Sequence, residues 1–221
     1  MSSILSVAEL KSFAPELDLS QYSDATISGM LSQATERAAS ASNVTGFDFQ
    51  AVVNETDRAY ISNDGELVIS VRRRPIVSVT SITLTKGGFS TNLVLTDTAN
   101  NPLYQIPYPS TKLVFPNSYF YLTGTYLAGG SSQLYTLRGA KVFYKMSYTG
   151  GHQTIPDDLK YAVSLYFRDI VAKKNNPSGL SSFNQGSYSE SYATGDPMGR
   201  SPLVKEAESV LRNGGFVRVE F

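Results

Sequence analysis

The chain has 221 residues, no cysteine, and 19 basic residues against 19 acidic ones, so its formal net charge is zero. That length can bury a core without covalent staples, and the missing thiols exclude disulfide frameworks, thiolate metal sites and cysteine nucleophiles. Zero net charge argues against a protein whose main work is to neutralise phosphates.

No apolar run approaches the roughly 20 residues that would span a bilayer. The start of the chain has no charged region followed by an apolar stretch. The expectation is a soluble protein made in the cytoplasm, with no membrane partner. The distribution of charge says more than its total: residues 1 to 60 hold three basic and eight acidic groups, and residues 61 to 150 hold eight and three. Segments of opposite sign suit head-to-tail contacts between copies of one protein.

In chain order, Ser6-Val7-Ala8-Glu9 has the spacing of a capping box and predicts a short helix to Phe13, ended by Pro15. Ser23 then caps a second helix. Its apolar positions Ile27, Met30, Leu31, Ala34, Ala38 and Ala41 make one stripe, and it is expected to end near Gly46.

From Phe47 to Tyr148 the pattern is that of strands. Leu67, Ile69 and Val71 alternate with Val68, Ser70 and Arg72. After Pro75, Val77, Val79, Ser81, Thr83 and Thr85 alternate with Ile76, Ser78, Thr80, Ile82 and Leu84, as half-buried strands do. Lys86-Gly87-Gly88 supplies a turn. Further runs at Asn92 to Leu95, Lys112 to Phe115, Tyr119 to Tyr126 and Lys141 to Tyr148 bring the total to about six to eight strands. No helical pattern separates consecutive strands, so the sheet is expected to be antiparallel.

Helix returns after Thr154, a candidate cap, with Pro156 at the first helical position and Asp157 and Asp158 where the helix dipole favours negative charge. Leu159, Ala162, Val163, Tyr166, Phe167, Ile170 and Val171 form a nearly ideal stripe on a helix of roughly 25 Å. Asn175 to Arg200 is rich in Ser, Gly, Asn and Tyr and reads as a loop, mobile or ordered by a partner. Ser201-Pro202 opens a last helix with Leu203, Ala207, Val210 and Leu211 on one side, ended by Gly214 and Gly215. The tail Phe216-Val217-Arg218-Val219-Glu220-Phe221 alternates apolar and charged residues, as a strand offered to a sheet edge does.

These elements predict an α+β protein, in which residues 1–46 and 152–213 form a small helical bundle, residues 47–151 form a large inserted antiparallel β domain, and residues 214–221 form a tail. No catalytic, cofactor-binding or metal-binding residue is assigned. His152, the single histidine, has no cysteine or second histidine with which to share a metal and reads as a turn residue. Asp157 and Asp158 read as dipole and solubility residues before they read as an acid/base pair. No glycine-rich phosphate loop is followed by lysine and Ser/Thr. Arg72, Arg73 and Arg74 suit a sheet edge or an interface with acidic neighbours better than a DNA-facing surface.

Val7-Ala8-Glu9-Leu10-Lys11, Arg72-Arg73-Arg74-Pro75-Ile76-Val77-Ser78-Val79-Thr80-Ser81-Ile82, and Val142-Phe143-Tyr144-Lys145-Met146-Ser147-Tyr148-Thr149-Gly150-Gly151 followed by Ile155-Pro156-Asp157-Asp158-Leu159 resemble the head-to-tail connector or adaptor family of tailed bacteriophages. The strand region from Gly87 to Gly139 is longer than that family's pattern. The resemblance implies a structural virion protein of the neck and not an enzyme. It would form a ring of twelve copies that docks on the portal, keeps the DNA channel continuous without sequence-specific binding, and presents a surface to the next tail or neck protein. Partner contacts are expected at Phe216, Val217, Arg218, Val219 and Phe221, and at Arg72, Arg73 and Arg74. Two rival readings are a tail-completion or baseplate component and a receptor- or carbohydrate-binding β module, the latter motivated by the tyrosine-rich strands.

Overall fold

The computed structural model describes residues 3–86, 88–107, 111–116, 118–119, 141–175, 182–185, 188–191 and 200–217. Their elements are α1 (Val7–Phe13), α2 (Asp24–Ala41), β1 (Gln50–Ile61), β2 (Leu67–Ser70), β3 (Ile76–Lys86), β4 (Phe89–Asn92), β5 (Lys112–Phe115), β6 (Val142–Gly150), α3 (Asp157–Asn175), β7 (Ser182–Gln185), β8 (Tyr188–Ser191) and α4 (Pro202–Asn213). The fold is α+β, a helical bundle with an inserted antiparallel sheet. The chain divides into two compact units, one of Met1–Phe47 with Thr154–Val217 and one containing Asp48–Gln153.

In the helical unit the capping box forms: Ser6 Oγ accepts the Glu9 N–H at 3.2 Å, and Glu9 Oε2 accepts the Ser6 N–H at 3.0 Å. Ser23 caps α2 by accepting from the Thr26 N–H. That helix stops at Ala41, short of Gly46. Asn43 takes φ 52°, its N–H reaches the Ser40 carbonyl, and the Val44 N–H reaches the Ala39 carbonyl. This is a Schellman ending with asparagine in the left-handed position that glycine usually fills. Ala41 is therefore exposed at the helix end, while Thr35 and Ala39 join Ile27, Met30, Leu31, Ala34 and Ala38 in the buried set.

Helix α3 begins at Asp157, with the Pro156 carbonyl accepting the first helical bond from Lys160. All seven stripe positions from Leu159 to Val171 are buried, and so are Ser164, Leu165, Asp169 and Ala172. The helix is enclosed on more than one side because α1, α2 and α4 all pack on it. Ser201 caps α4, and Leu203, Ala207 and Leu211 are its buried positions. Gly215, at φ 73°, ends it, with the Phe216 N–H returning to the Leu211 carbonyl at 2.8 Å. The loop expected between Asn175 and Arg200 contains an antiparallel hairpin, β7 with β8.

In the sheet unit the strand order is β4-β3-β6-β1-β2-β5 and every named pairing is antiparallel. β1, 12 residues long, has no apolar alternation to announce it: its centre reads Asn54-Glu55-Thr56-Asp57-Arg58. It is held by β6, in the register Glu55 opposite Met146 and Asp57 opposite Tyr144. β2 is not half-buried, since Leu67, Val68 and Ile69 are all buried. It pairs with β1 on one edge and β5 on the other. β3 carries register irregularities at Val77 and Thr80, so the buried face of its regular stretch is that of Ile82 and Leu84. The β3–β4 hairpin turns between Lys86 and Phe89, with Gly88 at φ 86°. The run expected at Asn92 to Leu95 is shifted, for β4 ends at Asn92. Of the Tyr119 to Tyr126 run only Tyr119 falls within the described residues. Its buried ring meets Phe115 edge-on at 4.9 Å, an arrangement that adds about 0.5–1.5 kcal/mol to its burial.

Candidate functional site

The inward face of the sheet contains a polar node. β1 places Glu55 on the side facing Tyr144 and Tyr148 of β6, because residues two apart on a strand share a face. Glu55 Oε1 accepts the Tyr144 hydroxyl at 2.7 Å and Oε2 accepts the Tyr148 hydroxyl at 2.8 Å. The Arg72 N–H is shared between both oxygens at 3.1 and 3.0 Å. Burial first, and then the Glu55 charge, pushes the Tyr148 hydroxyl well above the usual tyrosine range, so it stays a donor. With three donors converging on it, Glu55 is the shared acceptor that joins β1, β6 and the arginine link.

The arginine triplet is the link from β2 to β3, and its three members are placed differently. Arg72 remains accessible, its side chain 45% exposed, and its Nε and Nη2 grip Asp57 Oδ2 at 3.1 and 2.9 Å. That hydrogen bond raises its pKa further. Arg73 is buried: its N–H donates to the Tyr148 hydroxyl, and its Nη1 donates to the Asp48 carbonyl at 2.6 Å and to Asp48 Oδ1 at 2.9 Å. Arg74 is also buried and precedes a cis bond to Pro75. The Pro75 carbonyl accepts the Gly151 N–H at 2.9 Å, and Asp48 bridges His152 in parallel. His152 is half-buried, and burial lowers its pKa. The start of β1, the arginine link and the end of β6 thus meet at one point. Gly151, at φ 101°, is required there, since a Cβ would stand 2.0 Å from the Asp48 carbonyl oxygen.

The helical unit has a matching node. Asp169, fully buried on α3, accepts Arg37 Nη1 at 3.0 Å from α2, Lys173 Nζ at 2.9 Å, and Ser201 Oγ at 2.7 Å from the cap of α4. Glu9 meets Lys160 at 2.6 Å, and that hydrogen bond, with those from Ser6, holds its carboxyl down at about 2. Arg168 Nη2 donates to the Phe13 carbonyl at 2.6 Å and pairs with Glu16. Apart from the Lys173 contact, which stays within α3, these contacts tie α3 to α1, α2, the link after α1 and the cap of α4.

Of the predicted tail contacts, Phe216 and Val217 are partly buried against the helical core. Arg218, Val219 and Phe221 lie outside the described residues. Asp157 and Asp158 are exposed in the first turn of α3. Among the described residues no group of three or more His, Cys, Asp or Glu side chains is arranged to hold a metal ion, and no helix is long and apolar enough to cross a membrane. The sequence reading missed Glu55 and Asp169. A signal existed for Asp169, an acidic residue between the stripe positions Phe167 and Ile170, but none existed for Glu55.

No family model matches the chain, and no curated protein matches it. Among solved structures it is similar to a chain in the neck of an empty GTA particle computed with C6 symmetry, at 13% identity over 99% of this chain and 91% of that one, with a TM-score of 0.48. It is similar also to a chain of the virion of the native gene transfer agent (GTA) particle, at 15% identity over 99% and 91%, TM-score 0.47. A third, in the neck of the native GTA particle computed with C12 symmetry, is 13% identical over 96% and 89%, TM-score 0.37.

Proposed function

We propose that this chain is a structural protein of the neck of a tailed, phage-like particle, an adaptor whose copies form a ring between portal and tail around a continuous DNA channel. The observation that carries the reading is the resemblance of three separate stretches to the connector family. They occupy three junctions of the fold: the capped start of α1, the pinned link from β2 into β3, and the passage from β6 through Gly150-Gly151 into α3. Each junction is built to hold a fixed geometry, by the capping box, by Arg73 with Asp48, and by Gly151 against Asp48. A ring component that transmits position needs such rigid connections more than it needs mobile loops.

A ring of identical chains needs two different, mutually complementary patches on each copy. The first 60 residues and the segment that follows are opposite in sequence charge, and beyond Asp48 and Asp57, which Arg73 and Arg72 take up within the sheet unit, that difference offers such a pair of patches. Phe216 to Phe221 and the exposed Arg72 are the proposed contacts to portal or tail. In this role the buried ionisable groups are fasteners and not catalysts.

The test is electron microscopy of the neck of particles that carry this chain. A closed ring of it between portal and tail is the expected result. Its location at a fibre or baseplate, or its absence from the particle, would overturn the reading.

A further inference from the structure

Charge on β1 is sorted by face. Glu55 and Asp57 point inward with the buried residues of β6, while Asn54, Thr56 and Arg58 are exposed on the other side. On the neighbouring β6 the outward residues are Phe143 and Lys145, both exposed. Register places Arg58 directly opposite Phe143 and Thr56 opposite Lys145. The Arg58 guanidinium lies 5.8 Å from the centre of the Phe143 ring. The outer face therefore presents a large aromatic ring between two cations, and neither cation enters an ion pair among the described residues. Phe143, 39% exposed, leaves part of its ring open on this face for a partner to cover.

The helical unit has a recess of the opposite character. A cleft of about 500 Å3 opens beside the link from α1 to α2, lined by Ala14, Leu17, Leu19, Tyr22 and Ile27, with Asp24 and Lys11 among its polar lining. Asp18, exposed between Leu17 and Leu19, lies within the same link. Glu9 and Glu16 nearby are already paired, with Lys160 and Arg168. Asp18 and Asp24 enter no ion pair among the described residues. The cleft is wide enough for an aromatic side chain and its lining is part apolar and part polar; Asp18 and Asp24 stand beside it together with Lys11 and with Lys174, whose ammonium lies 4.9 Å from the centre of the Tyr22 ring.

We infer that Phe143, flanked by Arg58 and Lys145, seats in the α1–α2 cleft of a second copy of this chain, with Asp18 and Asp24 receiving the two cations. A second copy is favoured by complementarity: the aromatic ring suits the apolar side chains Leu17, Leu19 and Ile27 of the cleft, and the two cations suit the two carboxylates in sign. Because plug and socket are different patches, the contact is heterologous and each copy can engage two neighbours, the arrangement that generates a ring or a filament. The inference rests on the neck reading only in expecting that arrangement to close into a ring.

The test uses the full chain in solution, by sedimentation velocity over a concentration series. Reversing the plug with R58E and K145E is expected to weaken self-association by about tenfold or more, and so is reversing the socket with D18K and D24K. Mixing the two charge-reversed proteins is expected to restore association between them, which a simple folding defect would not. Because the chain has no cysteine, T85C, opposite Phe143 in register, in one copy and S20C at the cleft in another keep the ring in place and give an independent disulfide cross-link readout on mixing under a mild oxidant. Absence of self-association in the unaltered chain, or association indifferent to both reversals with no cross-link, would overturn the plug. A neck ring that closes through other surfaces would do so while leaving the proposed function standing.

Discussion

The Tyr148 hydroxyl donates to Glu55 at 2.8 Å while accepting the buried Arg73 N–H at 3.1 Å, so one side chain joins β6, β1 and the arginine link. Replacing Tyr148 by Phe leaves that N–H without its acceptor. The expected cost is about 1–3 kcal/mol, the range for orphaning a buried donor, measured by denaturant unfolding. Glu55→Ala removes the acceptor of three donors at once and is expected to cost more than either Tyr144→Phe or Tyr148→Phe. A Glu55 variant milder than both would show that the node is not organised around the carboxylate.

Asp169→Ala should loosen the helical unit at the start of α4. Arg37 and Lys173 are each more than a third exposed and can turn to water, so most of the effect arises at Ser201, whose buried hydroxyl loses its acceptor. An effect of about 1–3 kcal/mol is expected, with amide exchange accelerating first around Val204. Uniform acceleration across α1 and α2 instead would place the weakness elsewhere.

Two glycines should respond in opposite senses to alanine. Gly29 lies within α2 with nothing within 4 Å of a built Cβ, so Gly29→Ala is expected to stabilise by about 0.5–1 kcal/mol. At Gly151 the left-handed φ and the Asp48 carbonyl both forbid a side chain, and Gly151→Ala is expected to cost about 3 kcal/mol or more. Thermal melting of the two variants reads both signs directly.

Glu9 gives a prediction for pH. Its pKa in the folded chain, about 2, lies below the ordinary 4.5, so its contribution is fully present above about 4.5 and is lost as pH falls toward 2. The attachment of α1 to α3 is expected to weaken over that window, seen as faster amide exchange in Val7–Phe13. Lys160→Met should weaken it at neutral pH and flatten the dependence, since its hydrogen bond is the largest cause of the lowered pKa.

Local rules made the helices legible. Ser6, Ser23 and Ser201 each cap a helix because a short side-chain oxygen next to an apolar stripe has one low-energy use, and the stripe from Leu159 to Val171 is buried at every position. The antiparallel sheet followed from the absence of crossover helices, and β5 from its apolar run alone. The end of α2 was not legible, because asparagine at a positive φ is an exception that only the Ser40 and Ala39 carbonyls reveal.

β1 lies inside the strand-patterned region but has no run of its own to mark it, and the reason is physical. The sequence Asn54-Glu55-Thr56-Asp57-Arg58 reads as surface because its stabilising partners, Tyr144, Tyr148 and Arg72, lie 89, 93 and 17 residues from Glu55. A polar residue inside a sheet is paid for by hydrogen bonds to distant side chains, and spacing along the chain does not encode which of them will arrive. For the same reason the arginine triplet looked like one surface feature, whereas the fold buries Arg73 and Arg74 and leaves Arg72 outside. The sequence by itself determined the elements whose energetics are local: caps, apolar stripes and turns. Only the tertiary structure decided which charges are fasteners and which remain outward, because that depends on groups distant in sequence that neighbouring strands and helices bring together.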